Sequence, residues 1–160
     1  MKRRQVVAVI GAGDDAPRAV CQRAYEVGRE IARSDAVLIN GGRRGVMESA
    51  AVGAREEGGH TIGILPGADR RAANEHIEFA IATGIGEARN AVIVASADAI
   101  IALEGEGGTL AEIGFAKKFS KPIVALDSWS EIDGLHRAGT PAAAVALALK
   151  LASSKSRRRI

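Results

Sequence analysis

Val6-Val7-Ala8-Val9-Ile10-Gly11-Ala12-Gly13 is the stretch on which the fold turns. Five apolar residues, mostly β-branched, run without a polar interruption, as in a parallel strand covered on both faces, and then break at a glycine turn. Beyond the turn, Ala16, Val20, Ala24, Val27 and Ile31 recur at steps of 4, 4, 3 and 4 residues, which places them on one stripe of a helix. Strand, turn and helix in this order open a βαβ series, and the rest of the chain repeats the alternation. Further strands are expected at 36–39, 61–65, more weakly 77–81, then 99–103 and 122–126. Helices are expected at 46–57, stopped by Gly58-Gly59, and at 87–95, 109–119 and 142–152. The fold class is therefore α/β: a single Rossmann-like, doubly wound, largely parallel sheet with helices on both faces. Residues 1–152 form one phosphate- or nucleotide-binding domain, and 153–160 read as a frayed basic tail.

Composition supports one such domain and removes several function classes. Glycine supplies 19 of 160 residues, about 12% against an average of roughly 7%, with no repeat to absorb it, so the excess belongs to turns. Aromatic residues are only 3%, too few to stack the bases of a single strand, which argues against a nucleic-acid partner. The net charge of +3 is a property of the ends: Lys2, Arg3, Arg4, Lys155, Arg157, Arg158 and Arg159 are unopposed. Without those seven, 15 basic residues face 19 acidic ones, and the body is mildly acidic. The single Cys21 allows no internal disulfide, residues 6–10 are too short for a signal sequence, and no run approaches a membrane span. A cytoplasmic protein is expected. Helices 87–95 and 142–152, rich in Ala and Val with little polar relief, suggest a homo-oligomer, dimer or tetramer.

Ligands of doubly wound sheets bind at the carboxyl ends of the strands, and three of those ends are glycine-rich here. The first strand ends in Gly11 and Gly13, the second in Gly41-Gly42-Arg43-Arg44-Gly45, and the fifth in Gly105-Glu106-Gly107-Gly108. Together they predict a phosphate-binding crevice. The first loop lacks the full G-x-G-x-x-G pattern, Asp14-Asp15 crowd a pyrophosphate, and Asn40 stands where a ribose-binding carboxylate belongs, which argues against an NAD dehydrogenase. Arg43 and Arg44 sit at a helix start where two guanidiniums can grip an anion, and Met47 follows on that helix. Thr109-x-x-Glu112 has the spacing of a capping box, which competes with a catalytic role for Glu112. Arg89 opens another helix on the same edge, with Asn90 next to it.

These residues resemble a known family. Gly41-Gly42-x-x-Gly45-x-Met47, Gly53-Ala54, Gly58-Gly59, Gly63-Ile64-Leu65-Pro66-Gly67, Gly86-Glu87-Ala88-Arg89-Asn90, Ser96-Ala97-Asp98-Ala99 and Gly108-Thr109-x-x-Glu112 resemble the molybdenum-cofactor-carrier-like family. That family lies in the superfamily of the LOG-type nucleoside-monophosphate phosphoribohydrolases, once labelled lysine decarboxylases. The resemblance implies a Rossmann-like homo-oligomer holding a phosphate-bearing ligand, either molybdenum cofactor or a nucleoside monophosphate, with no cofactor or metal needed for the fold. Arg89 and Glu112 match the Arg and Glu that LOG-type enzymes need to cleave an N-glycosidic bond, in which a carboxylate stabilises an oxocarbenium-like centre while Arg neutralises phosphate. Gly11, Gly13, Gly41, Gly42, Arg43, Arg44, Gly45, Met47, Arg89, Asn90, Gly105, Gly107, Gly108 and Thr109 are the expected ligand-binding set. Two departures separate this chain from LOG-type enzymes: Glu104 and Glu106 enter the loop written P-G-G-x-G-T there, and Asn90 replaces a basic residue. Decarboxylation finds no support, because Lys117, Lys118, Lys121 and Lys150 fall on helix surfaces or loops and not at a strand end where a Schiff base is built. Three readings stay open: a carrier, a phosphoribohydrolase and a nucleotide-sensing domain.

Overall fold

The computed structural model describes residues 3–157. Seven strands form one sheet: β1 (Val6–Ile10), β2 (Val37–Asn40), β3 (Thr61–Leu65), β4 (Phe79–Ala82), β5 (Ala99–Ala102), β6 (Ile123–Leu126) and β7 (His136–Ala138). Their order across the sheet is β4-β3-β2-β1-β5-β6-β7, and every neighbouring pair is parallel. Five helices accompany them: α1 (Arg18–Arg33), α2 (Val46–Glu56), α3 (Arg89–Ser96), α4 (Gly107–Lys118) and α5 (Pro141–Arg157).

Strand alternation divides the core into two halves. Val7 and Val9 of β1 face one side with Leu38, Ile101 and Val124, where Val20, Ala24, Val27 and Ile31 of α1, the alanines of α2 and Ala144, Val145 and Ala148 of α5 cover them. Ala8 and Ile10 face the other side with Ile39, Ile64 and Ile100, beneath Ile93 and Val94 of α3 and Ile113 and Ala116 of α4. The three-layer α/β/α arrangement expected from the apolar pattern is thus realised. Successive strands β1 to β4 build outward in one direction and β5 to β7 in the other, which puts the reversal of strand order between β1 and β5. Doubly wound folds open a crevice at that point.

Several expectations shift. The weak strand at 77–81 is realised two residues later, as β4, and β7 was not foreseen. Helix α3 starts only after a 3-10 turn at Gly86–Ala88. Helix α5 continues to Arg157 instead of fraying at 153, with the Ser153 and Ser154 hydroxyls bonded to the carbonyls of Leu149 and Lys150. Residues 1, 2 and 158–160 of the expected basic ends lie outside the described residues. Helix α5 also buries Ala144, Val145, Ala148 and Ala152 against the sheet and α1, so it does not offer the broad apolar face expected of it for a partner copy.

Candidate functional site

The three glycine loops meet above the β1–β5 crevice, and hydrogen bonds knit them together. The Ala12 amide donates to the Glu104 carbonyl at 2.8 Å, and the Val46 amide donates to the Ala12 carbonyl at 2.9 Å. Glycine is needed where the loops touch. A Cβ on Gly45, whose φ is +68°, would fall 2.0 Å from the Gly13 carbonyl oxygen, and one on Gly105 would fall 2.2 Å from the Thr109 hydroxyl. Gly11 abuts Val46 in the same way. These three glycines serve loop packing, whereas Gly13, Gly107 and Gly108 have open space at the Cβ position.

Below the loops lies a cavity of about 350 Å³. The β1 loop from Gly11 to Asp15, Met47 of α2, Glu87, Arg89 and Asn90 at the start of α3, and Glu106, Gly108, Thr109 and Glu112 of α4 line it. Arg89 and Glu112, matched in sequence only by resemblance, therefore share one cavity. Both are buried, at 7% and 8% exposure, which is rare for these side chains unless they have a task or a partner. The Arg89 guanidinium lies along Gly41, where a Cβ would sit 3.0 Å from Nη2, so the absent side chain at 41 makes room for it. Its Nη1 donates to the Asn90 side-chain carbonyl. Its Nε is buried with no acceptor among the described residues. Burial pushes the Glu112 carboxyl up to about 8; the Arg89 charge pulls it down and Glu87 pushes it further up. At neutral pH Glu112 is mostly a protonated acid, able to donate a hydrogen bond.

Helix α4 begins at Gly107 with Glu106 as its N-cap residue and no side-chain capping bond. The capping box expected at Thr109 and Glu112 is not formed, because the helix starts two residues earlier; Thr109 is inside the first turn and Glu112 turns to the cavity. Asn40, read as a missing ribose ligand, has a structural task instead. Fully buried, it donates to the Met47 carbonyl and accepts from the Gly42 amide, clamping the second loop at both ends.

Not all expected site residues converge. Gly41, Gly42, Gly45, Gly105 and Gly107 do not line this cavity. Arg43 and Arg44 line a second one of about 550 Å³, together with Asp14, Glu48 and residues Arg71 to Glu75 that sequence reasoning did not single out. Arg71 and Asn74 come from the irregular stretch between β3 and β4, where no apolar period marks them. A third cavity, about 420 Å³, lies away from the glycine loops between the end of α4, the start of β6 and α5.

A parallel sheet with glycine loops and buried polar groups over its switch point defines a Rossmann-like protein whose candidate ligand site is that edge. The chain belongs to the SLOG cluster4 family, which matches residues 4–152. Among solved structures it is similar to the molybdenum cofactor binding protein of Rippkaea orientalis, at 34% identity and a TM-score of 0.88 over 94% of this chain and 99% of the other. The Moco carrier protein of Chlamydomonas reinhardtii is similar at 34% identity and a TM-score of 0.87, over 95% and 99%. The cytokinin riboside 5′-monophosphate phosphoribohydrolase of Mycobacterium tuberculosis is 33% identical over 81% of this chain and 74% of its own length. Both halves of the expected relationship, to cofactor carriers and to LOG-type enzymes, are present. Among the described residues no helix is long and apolar enough to cross a membrane.

Proposed function

We propose that the chain is a binding or carrier protein for a phosphate-bearing small molecule, with molybdenum cofactor the ligand that the carrier proteins of R. orientalis and C. reinhardtii suggest. The observation that carries this reading is Arg89: a buried guanidinium whose Nε has no acceptor, set in a cavity of ligand size. A buried, incompletely satisfied cation is costly unless a bound anion completes it. The Glu112 carboxyl beside it, protonated at neutral pH, adds a donor and no opposing charge. Protonated, Glu112 lacks the charge to stabilise an oxocarbenium-like centre, but a carboxylic acid can protonate a leaving base, so turnover and not protonation separates the carrier from the phosphoribohydrolase reading. Glu106 and Asp14 bring further carboxylates to the cavity, and Glu106 stands in the loop that LOG-type enzymes write P-G-G-x-G-T.

The hydrolase reading keeps two supports, the shared cavity of Arg89 and Glu112 and the 33% identity to the M. tuberculosis enzyme. Nucleotide sensing would use the same cavity without turnover. The carrier is tested by titrating phosphorylated ligands against the melting temperature and by mass spectrometry of whatever copurifies with the native protein. Stabilisation is expected in the wild type. In Arg89→Ala, compared with its own ligand-free form, loss of a charge-assisted contact lowers affinity about tenfold or more. An undiminished ligand shift in Arg89→Ala would remove this reading.

A homo-oligomer belongs to the proposal. Phe79 and Ile81 of the edge strand β4 are 53% and 49% exposed. They pair in register with Ile62 and Ile64, on the α3–α4 side of the sheet. Val92 on α3 and Leu110 on α4 are exposed as well. An apolar edge strand of this kind is stable in water when another surface covers it.

A further inference from the structure

We infer that the ligand cleft is bipartite and takes a small molecule with two anionic groups, one seated on Arg89 and the second on the neighbouring Arg43–Arg44 groove. The inference rests on the carrier reading and extends it from one phosphate to a two-ended ligand. The cavity of Arg89 and the groove of Arg43 and Arg44 share Asp14 on their walls, so the two lie side by side. At about 350 and 550 Å³, each is larger than a lone phosphate requires.

The second part has the marks of a prepared anion seat. Arg43 and Arg44 are adjacent and of like charge, and neither forms an ion pair within 4.0 Å among the described residues, although Asp14, Glu48 and Glu75 border the same groove. The third arginine there, Arg71, is already committed to Asp69 through Nε and Nη2. Free loop charges ordinarily ride on a loose backbone. This backbone is pinned: the Asn74 side-chain amide donates to the Arg43 carbonyl at 2.7 Å and the Gly42 carbonyl at 3.3 Å, the Asn74 backbone amide donates to Gly42 at 2.9 Å, and Asn40 holds the Gly42 amide. With the backbone already fixed, only side-chain freedom is lost when these two exposed guanidiniums grip an oxyanion, and their fork geometry suits phosphate or another planar or tetrahedral oxyanion. Arg89, by contrast, is buried and alone. One cleft therefore presents two separate cationic seats of different character, which a ligand with a single anionic group fills only by half.

The test compares adenosine ligands that differ in the number and placement of their anionic groups, by calorimetry on the full chain: adenosine, AMP, ADP, ATP and adenosine 3′,5′-bisphosphate. At least one of the three polyanions is expected to bind roughly tenfold or more tighter than AMP, the gain typical of added charge-assisted contacts. Arg43→Ala/Arg44→Ala is expected to erase that gain, so that the polyanions bind no tighter than AMP does to the same variant, and an unchanged ligand-free melting temperature shows that this exposed pair was not needed for folding. Arg89→Ala weakens AMP and the polyanions alike. AMP binding with no gain from a second anionic group, or a gain that survives the double substitution, overturns the inference and leaves the carrier reading standing. Binding of none of these compounds, AMP included, overturns both for this ligand class.

Discussion

Glu112 forms no ion pair within 4.0 Å among the described residues and is 8% exposed, and its protonation links the site to the stability of the whole chain. In the unfolded chain it titrates near the usual 4.5, in the fold at about 8. Between those values the unfolded state releases its proton while the native state keeps it, so native stability falls as pH rises from about 4.5 to 8 and levels off above. Glu112→Gln, which cannot ionise, is expected to be more stable than the wild type at pH 8.5, by an amount of the order of a few kcal/mol, and nearly equal to it at pH 4.5. Denaturant unfolding at the two values checks this, and a wild-type advantage at pH 8.5 would show that the carboxylate is charged and paired. The sequence brought Arg89 and Glu112 forward through resemblance, while their spacing alone favoured a capping box. What decided between cap and cavity was the first turn of α4, which starts at Gly107 because glycine and an extended Glu106 suit a helix entry that no periodicity marks. The free Nε of Arg89 depends on packing against Gly41 and Met47, which come from the loop after β2 and the start of α2, far from Arg89 in the chain, and have no local signature that points to it.

Among the elements, α1 and α2 make the closest contact. A Cβ on Gly28 would fall 1.9 Å from the Ala50 carbonyl oxygen, and one on Gly53 would fall 2.0 Å from that of Tyr25, so the two helix backbones touch through a glycine on each. Alanine is favoured over glycine inside a helix by about 1 kcal/mol, but overpacking against a rigid backbone costs typically 1–3 kcal/mol and occasionally more. Gly28→Ala is therefore expected to be destabilising by roughly 2 kcal/mol or more. Gly114, inside α4 with open space around its Cβ position, has no such neighbour, and Gly114→Ala is expected to stabilise by up to about 1 kcal/mol. Unfolding midpoints of the two variants should move in opposite directions; movement in the same direction would refute the contact. At this scale the sequence was most legible where burial is two-sided: β1, β5 and β6 read as unbroken apolar runs because helices cover both faces. It was least legible at the margins. Strand β7 is three residues, His136–Ala138, two of them exposed, and has no apolar pattern to find. Strand β4 has one exposed face and slid out of its expected frame.

The whole molecule joins a closed core to an unfinished surface. Phe79, Ile81, Val92 and Leu110 leave apolar area on the α3–α4 side, and light scattering at micromolar concentration is expected to give a particle of at least twice the 16.6 kDa chain. Phe79→Lys with Ile81→Lys should shift it toward the monomer, and a wild type that is monomeric would contradict this. The central claim concerns what happens to a ligand once it is bound. Purified wild-type protein incubated with AMP, GMP, CMP and IMP, followed by chromatography of the mixture, tests it most directly. The account predicts a monophosphate that stabilises the protein and is recovered intact; release of free base that disappears in Glu112→Ala would contradict it.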